Sequence, residues 1–282
     1  MSCIGKRFGL FGLGLLMILP ARASAQQCEN GINPDGASLI VGTYAVSQIA
    51  MVAVRSPDWW FPKNTGFTFN WNNSNSGGQN HLLHMALSYN FSEAMGSAWR
   101  LACASEGAAA WLGALIGFAY VFPKEYGDAF RDGFGFSGMS TTLSLAGAVL
   151  PALHRTAPIT RMLVMKFNYF PSDEYRNGLA PRFPQLERDY AGTNYFFAIN
   201  PGLASPGRGG WPDWLGIAVG HSVDQAYQAP ATHQVFFTLD VNLRGFGSPE
   251  SGWHKIATFL DRFHLPLPGV KLQGGAVQFG VF

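Results

Sequence analysis

The pattern of apolar and polar positions changes its period once along the chain. From residue 36 to 153 the apolar residues fall into four stretches of helical length. Residues 36–54 are uncharged between Asp35 and Arg55, 79–100 are amphipathic around His84, 107–123 are again uncharged, and 136–153 are rich in Ser, Thr, Leu, Gly and Ala. Residues 73–78 read Asn-Ser-Asn-Ser-Gly-Gly and break the chain before the second stretch. Beyond residue 155 the period becomes two. Val235, Phe237, Leu239, Val241 and Leu243 alternate with Phe236, Thr238, Asp240, Asn242 and Arg244, which predicts a strand with one buried, apolar face. Noisier runs of the same kind lie at 162–170, 193–200, 214–222 and 275–282, separated by Pro and Gly clusters, and 252–263 predict an amphipathic helix before the last strand. The fold class is therefore α+β: an N-terminal apolar four-helix bundle, residues 26–155, and a C-terminal antiparallel β-sheet region with one inserted helix, residues 156–282, packed on the helices.

The uncharged stretches are each about 17 to 19 residues, the length at which a core helix and a membrane-spanning helix overlap. Small residues crowd the third one (Gly107, Ala108, Ala109, Ala110, Gly113, Ala114, Gly117), allowing close helix approach. These features predict a bundle embedded in, or lying against, a membrane. Trp59, Trp60, Trp211 and Trp214 suit interfacial anchoring as well as core packing. The terminal Phe282 is a feature of outer-membrane barrels, but five or six short strands fall below the roughly eight of the smallest barrels.

Composition sharpens this picture. Only 13% of residues are charged against 48% hydrophobic, and the formal charge is +2. Lys6, Arg7 and Arg22 lie in the first 25 residues; without them 16 basic residues face 17 acidic ones. A nucleic-acid partner has no electrostatic footprint here. Residues 1–25 read as a signal peptide: a basic start at Lys6 and Arg7, an apolar run from Phe8 to Pro20, and Ala23-Ser24-Ala25 before a cut that leaves Gln26 first. That predicts export to an oxidising compartment. Cys3 leaves with the leader, and Cys28 and Cys103 remain as a candidate disulfide or as two buried thiols.

Charged groups are so scarce in the helical half that each is informative. His81 and His84 are spaced to share one helix face, and Glu125 and Asp128 repeat the spacing on another helix. Three chemistries suit them. They form a polar network that fixes register in an apolar bundle; or His84 acts as a base with Glu125 or Asp128 as acid or orienter, on a membrane lipid or cell-wall precursor; or His81, His84, Glu125 and Asp128 hold a divalent metal. Ser137, ahead of the fourth apolar stretch, reads as a helix N-cap. His221, Asp224, His233 and Asp240 read as solvated positions of the sheet. No nucleophile elbow, zinc-protease helix, phosphate loop or C-x-x-C is present. With no cofactor required, the first chemistry makes the chain a non-enzymatic structural or scaffold protein of the envelope.

The order of these residues resembles a known family. His84, then Lys124-Glu125 and Asp128, then Gly135-Phe136-Ser137 opening a helix that ends near Gly147-Ala148, is similar to the YfiM-like family of predicted bacterial envelope lipoproteins. Lys166-Phe167-Asn168-Tyr169, Asp189-Tyr190, Trp211-Pro212-Asp213-Trp214 and Phe237-Thr238-Leu239-Asp240 are similar to its long form, and the likeness spans about residues 66 to 270. A more distant likeness is to VanZ-like membrane proteins. The resemblance implies a bacterial periplasmic, membrane-associated location, at the outer membrane rather than the inner, with a membrane lipid or envelope component as partner, and Asp-Lys, Asp and Asn at positions where this chain has Asn80-His81, Ser140 and Ser144. An activity that needs the full polar set is altered or lost at those four positions.

Overall fold

The computed structural model describes residues 28, 31–54, 66–72, 75–180, 188–204, 210–227, 230–246 and 251–282. The expected leader, its cleavage site, Cys3, Trp59 and Trp60 lie outside the described residues. The chain divides into two compact units. One takes its described residues from 28–72 and 87–155; the other takes them from 75–86, 156–180 and 188–282.

The first unit is helical. Its helices are α1 (Pro34–Val54), most of α2 (Gln79–Leu101), α3 (Glu106–Asp128) and α4 (Gly138–Thr156). Two-residue strands β1 (Phe69–Asn70) and β2 (Phe136–Ser137) pair in parallel. Helices α1, α3 and α4 begin where the sequence supplies a cap. Asn33 Oδ1 accepts the amides of Asp35 and Gly36 while Pro34, which has no N–H to satisfy, opens α1. Ser105 Oγ accepts the Ala108 amide at 3.3 Å, and Glu106 places a negative charge at the positive end of α3.

The third helix runs through Pro123 and closes at Asp128, with Glu125 and Asp128 on it. Proline removes the hydrogen bond to the carbonyl four residues back, here that of Ala119. The Tyr44 hydroxyl donates to this carbonyl at 3.0 Å, so α1 supplies what Pro123 withholds. Ile40, Phe91, Met95, Ala98, Trp99 and Ala109 form the apolar core of the unit, with Phe91 and Tyr120 stacked at 3.8 Å. Cys28 and Cys103 are bonded with Cα atoms 5.4 Å apart. The bridge spans 75 residues, and a loop of that size contributes about 4 kcal/mol by restricting the unfolded chain.

The second unit is a six-stranded antiparallel sheet in simple sequence order. Its strands are β3 (Leu163–Tyr169), β4 (Thr193–Ile199), β5 (Leu215–Asp224), β6 (Thr232–Val241), β7 (Pro268–Gln273) and β8 (Ala276–Val281). A one-turn helix, α5 (Asp173–Arg176), follows β3, and α6 (Gly252–Leu260) precedes β7. The outer edge of β3 is paired in turn: the Phe167 amide donates to the Arg262 carbonyl at 3.1 Å and His264 returns a bond to Phe167 at 2.9 Å. Residues 79–86, with His81 and His84, belong to this unit rather than to the helical one. They enter through a turn in which Ser76, Gly77 and Gly78 are all left-handed, and a Cβ at Gly77 would strike Val223 and His233.

One sequence expectation is inverted. On β6 the buried residues are Phe236, Thr238 and Asp240, whereas Phe237 and Leu239 are 48% and 45% exposed. The alternation is present, but its apolar side faces out. Strand β7 is an addition to the sequence reading, since Pro-Gly-Val-Lys-Leu-Gln carries no clear strand pattern.

Candidate functional site

The end of α3 gathers charge into a nearly closed cluster. Glu125 and Asp128 are buried on one helix face. Lys124 Nζ lies 3.1 Å from Glu125 Oε1 and 2.8 Å from Asp128 Oδ2, and Arg131 Nη1 lies 3.3 Å from Asp128 Oδ1. The backbone amide of Ser137 donates to Glu125 Oε2 at 3.3 Å, tying the end of α3 to the start of α4. Ser137 Oγ then accepts the Ser140 amide at 3.2 Å, the hydrogen bond that caps α4, and Ser144 Oγ donates to the Ser140 carbonyl. Both carboxylates therefore have protein partners of opposite charge or with N–H donors. A metal ion here would have to displace Lys124 and Arg131.

His81 and His84 are both buried, one turn apart on the stretch of α2 that belongs to the sheet unit, while Glu125 and Asp128 belong to the helical unit. Among the described residues no three His, Cys, Asp or Glu side chains converge as a metal-binding group.

A second polar core lies under the sheet, and sequence reasoning missed it. Asp240, expected to be solvated, is instead buried. Its Oδ2 is 2.9 Å from Lys166 Nζ and its Oδ1 is 3.0 Å from His264 Nδ1. Lys166 Nζ also donates to Asp261 Oδ1 and to the Val241 carbonyl, each at 2.9 Å. Asp261 further accepts the Leu243 amide at 2.8 Å, with Arg244 Nε 3.1 Å from its other oxygen. Burial pushes the Asp261 carboxyl up from its ordinary range, and Lys166 and Arg244 oppose that shift. His264 Nε2 lies 3.0 Å from Thr238 Oγ1, and the ring stacks on Phe196 at 3.9 Å.

Asp240, His264 and Thr238 thus stand in the order of a nucleophilic triad. Chemistry would require the hydroxyl to meet a substrate. Thr238 is buried on a central strand, and Asp240 is already shared with Lys166. The arrangement is a lock between β3, β6 and the end of α6. Of the other sheet residues noted in the sequence, Asp224 accepts Gln273 Nε2 at 3.2 Å, and His221 and His233 approach each other at 3.1 Å.

The third feature is how the helices meet. The α2–α3 contact is made of small residues: a Cβ at Gly113 would lie 2.5 Å from the Ser92 carbonyl and 2.6 Å from the Gly96 nitrogen, and one at Gly117 would lie 2.7 Å from the Ser88 carbonyl. Ser92 Oγ donates across to the Ala148 carbonyl of α4 at 2.7 Å. Small residues at four-residue spacing, together with an interhelical serine bond, are how helices associate where no hydrophobic effect drives them together. The faces of α3 are sorted accordingly. Ala109, Ala110, Gly113, Ala114, Gly117, Val121, Glu125 and Asp128 are buried, while Trp111, Leu115, Phe122 and Tyr126 form one exposed stripe. Among the described helices, α3 is long and apolar enough to cross a bilayer by length and composition.

Fold and packing define an α+β chain with a buried polar cluster in each unit and with exposed apolar stripes on α3 and on the sheet. Residues 66–156 match the family described as predicted periplasmic lipoprotein, DUF2279, a description that assigns a compartment and no reaction. No curated protein and no solved structure matches the chain. Cys28 is bonded to Cys103, so within this fold it is not free to carry a lipid thioether.

Proposed function

We propose that this chain is a non-enzymatic, membrane-associated protein of the bacterial envelope, in which the four helices form a bundle whose outward stripes meet lipid. The observation that carries the reading is the division of α3, with Gly, Ala and both carboxylates inward and Trp111, Leu115, Phe122 and Tyr126 outward. Leu112, Ile116 and Tyr120 pack against the core beside the small-residue face, and the outward stripe stays 36–63% exposed. The structural role of the charged cluster follows from its partners. Lys124, Arg131 and the Ser137 amide hold Glu125 and Asp128, fastening α3 to α4 at one end of the bundle.

The competing chemistries make His84 a base with Glu125 or Asp128, or place a divalent metal on His81, His84, Glu125 and Asp128. Each must first break the pairs that Lys124 and Arg131 make. The family match supports the exported, periplasmic setting. The YfiM-like form of that family, the distant VanZ-like likeness, the cleaved leader and the choice of the outer membrane over the inner are parts of the same proposal.

Alkaline carbonate extraction of envelopes from cells expressing the full chain tests it. The protein is expected to stay in the membrane pellet. Complete release to the supernatant would overturn the reading and make the outward stripes a protein-covered surface.

A further inference from the structure

The sheet of the second unit has an apolar outer face and, on β3–β6, a buried inner face that holds a polar cluster; β8 is exposed on both faces. Lys166, Phe196, Thr238 and Asp240 share the inner face, joined there by Asp261 and His264. The register puts Ile217 opposite Leu239, Val219 opposite Phe237, Phe237 opposite Val270, Val270 opposite Phe279 and Leu272 opposite Val277, all on the outer face. From Leu215 to Val219 on β5, and across β6, β7 and β8, that face carries no charged side chain.

Most of this band is bare. Phe279 is 83% exposed, Val281 63% and Val277 58%, with Ile217, Phe237 and Leu239 near one half. Scaled by ordinary side-chain areas, the outer-face residues leave roughly 700 Å² of apolar surface uncovered, more than the ~300–600 Å² of the largest patch on a typical soluble monomer.

The ends of the strands differ from the band. At the start of β5, Trp211 and Trp214 are exposed, Trp214 lies 6.1 Å from Phe246, and the Trp211 indole donates to the Leu215 carbonyl. At the other end Tyr190 and Tyr227 stack at 6.0 Å, and the Tyr227 hydroxyl donates to the Arg188 carbonyl. Rings with a polar tip therefore border an uncharged apolar band at both ends of the strands. Along the strands the band covers Leu215 to Val219 on β5 and Val235 to Val241 on β6, about 15–25 Å at the usual rise, nearer the hydrocarbon depth of one leaflet than of a whole bilayer.

We infer that the outer face of β5–β8 is a lipid-contacting surface, its occupant the acyl chains of a bilayer. A second copy of the chain would fit this area, since a standard protein interface buries about 800 Å² per partner. Such an interface also carries about one hydrogen bond per 100–200 Å² and a polar rim. Between Leu215 and Val219 on β5, and on the facing parts of β6–β8, the outer face offers no side-chain donor or acceptor; the backbones of β5–β7 are paired within the sheet, and β8 is its edge strand. Hydrocarbon needs no such bonds, and the aromatic borders suit the membrane–water interface. This inference deepens the proposed membrane association by naming a surface outside the helices.

Nitroxide accessibility tests it in the mature chain, with Cys28 and Cys103 oxidised, reconstituted into phosphatidylethanolamine and phosphatidylglycerol vesicles. Labels are placed at Leu239→Cys and Val277→Cys on the outer face, and at Leu115→Cys on α3 as the reference for the helical reading. Collision with oxygen is expected to exceed collision with a water-soluble nickel chelate several-fold at Leu239 and Val277. A nickel-dominated response at both sheet positions, with Leu115 still oxygen-dominated, would overturn this inference and leave the helical reading standing. Nickel dominance at all three positions would overturn both. Low access to both reagents at the sheet positions, with dipolar broadening between copies, would overturn it in favour of a self-association face.

Discussion

Lys166→Met is expected to cost the second unit about 3–5 kcal/mol, the range for removing one partner from a buried ion pair. Lys166 is 1% exposed and stands between Asp240 and Asp261, both equally enclosed. Methionine restores the volume but none of the three donors, so two carboxylates would face each other across an apolar side chain. Arg244 and the Leu243 amide would still serve Asp261, and His264 would still serve Asp240. Urea unfolding in detergent, followed by near-ultraviolet circular dichroism, measures the loss. Adding Asp261→Asn to Lys166→Met should cost less than the same change in the native chain, because its cationic partner has already gone. A loss below about 1 kcal/mol would mean that water reaches the three groups and that the sheet does not enclose them.

Gly113→Leu should be the most damaging single change in the helical unit. A Cβ there lies 2.5 Å from the Ser92 carbonyl and 2.8 Å from the Gly96 Cα, so backbone must give way before any side chain does. Overpacking a close contact costs about 1–3 kcal/mol where flexible groups can yield, and a clash with backbone belongs at or beyond the upper end. Gly107→Leu is the matched control, because nothing lies within 4 Å of its Cβ position. The same substitution six residues earlier on the same helix should therefore stay within about 0.5 kcal/mol of the native chain. Thermal melts of the two variants side by side check the difference, and equal melting temperatures would remove the small-residue contact from the account.

What could be read from the sequence followed from how local each interaction is. Helices were legible from uncharged runs and, ahead of α4, from the Ser137 cap. What the sequence did not show is how α3 passes through Pro123 to reach Asp128. The compensating Tyr44 hydroxyl lies 75 residues away from Ala119 in sequence. The period of β6 was equally legible, but not which side of it is buried. That choice depends on Lys166 meeting Asp261, 95 residues further along, and on His264 meeting Asp240. Asp240 alone looks like a solvated strand residue. The available signal was scarcity: in a chain with few charges, Lys166, Asp240 and Asp261 each lie beside large apolar residues.

Glu125 and Asp128 were singled out by spacing alone, and the structure adds their partners. His81 and His84 share a helix with the bundle in sequence, yet they belong to the other unit, because the left-handed turn at residues 76–78 starts α2 against the sheet. Hydrophobic spacing does not report on which side of a helix will be covered in each half of its length.

The central claim is that the outward stripe of α3 faces lipid, and the most direct measurement is photolabelling in native envelopes with a diazirine placed midway along a phospholipid acyl chain, followed by peptide mapping. The account predicts adducts on Trp111, Leu115 and Phe122 and none on Gly113, Gly117 or Glu125 of the same helix. Recovery of the α3 peptides without adducts, while other envelope proteins in the same sample are labelled, would contradict it.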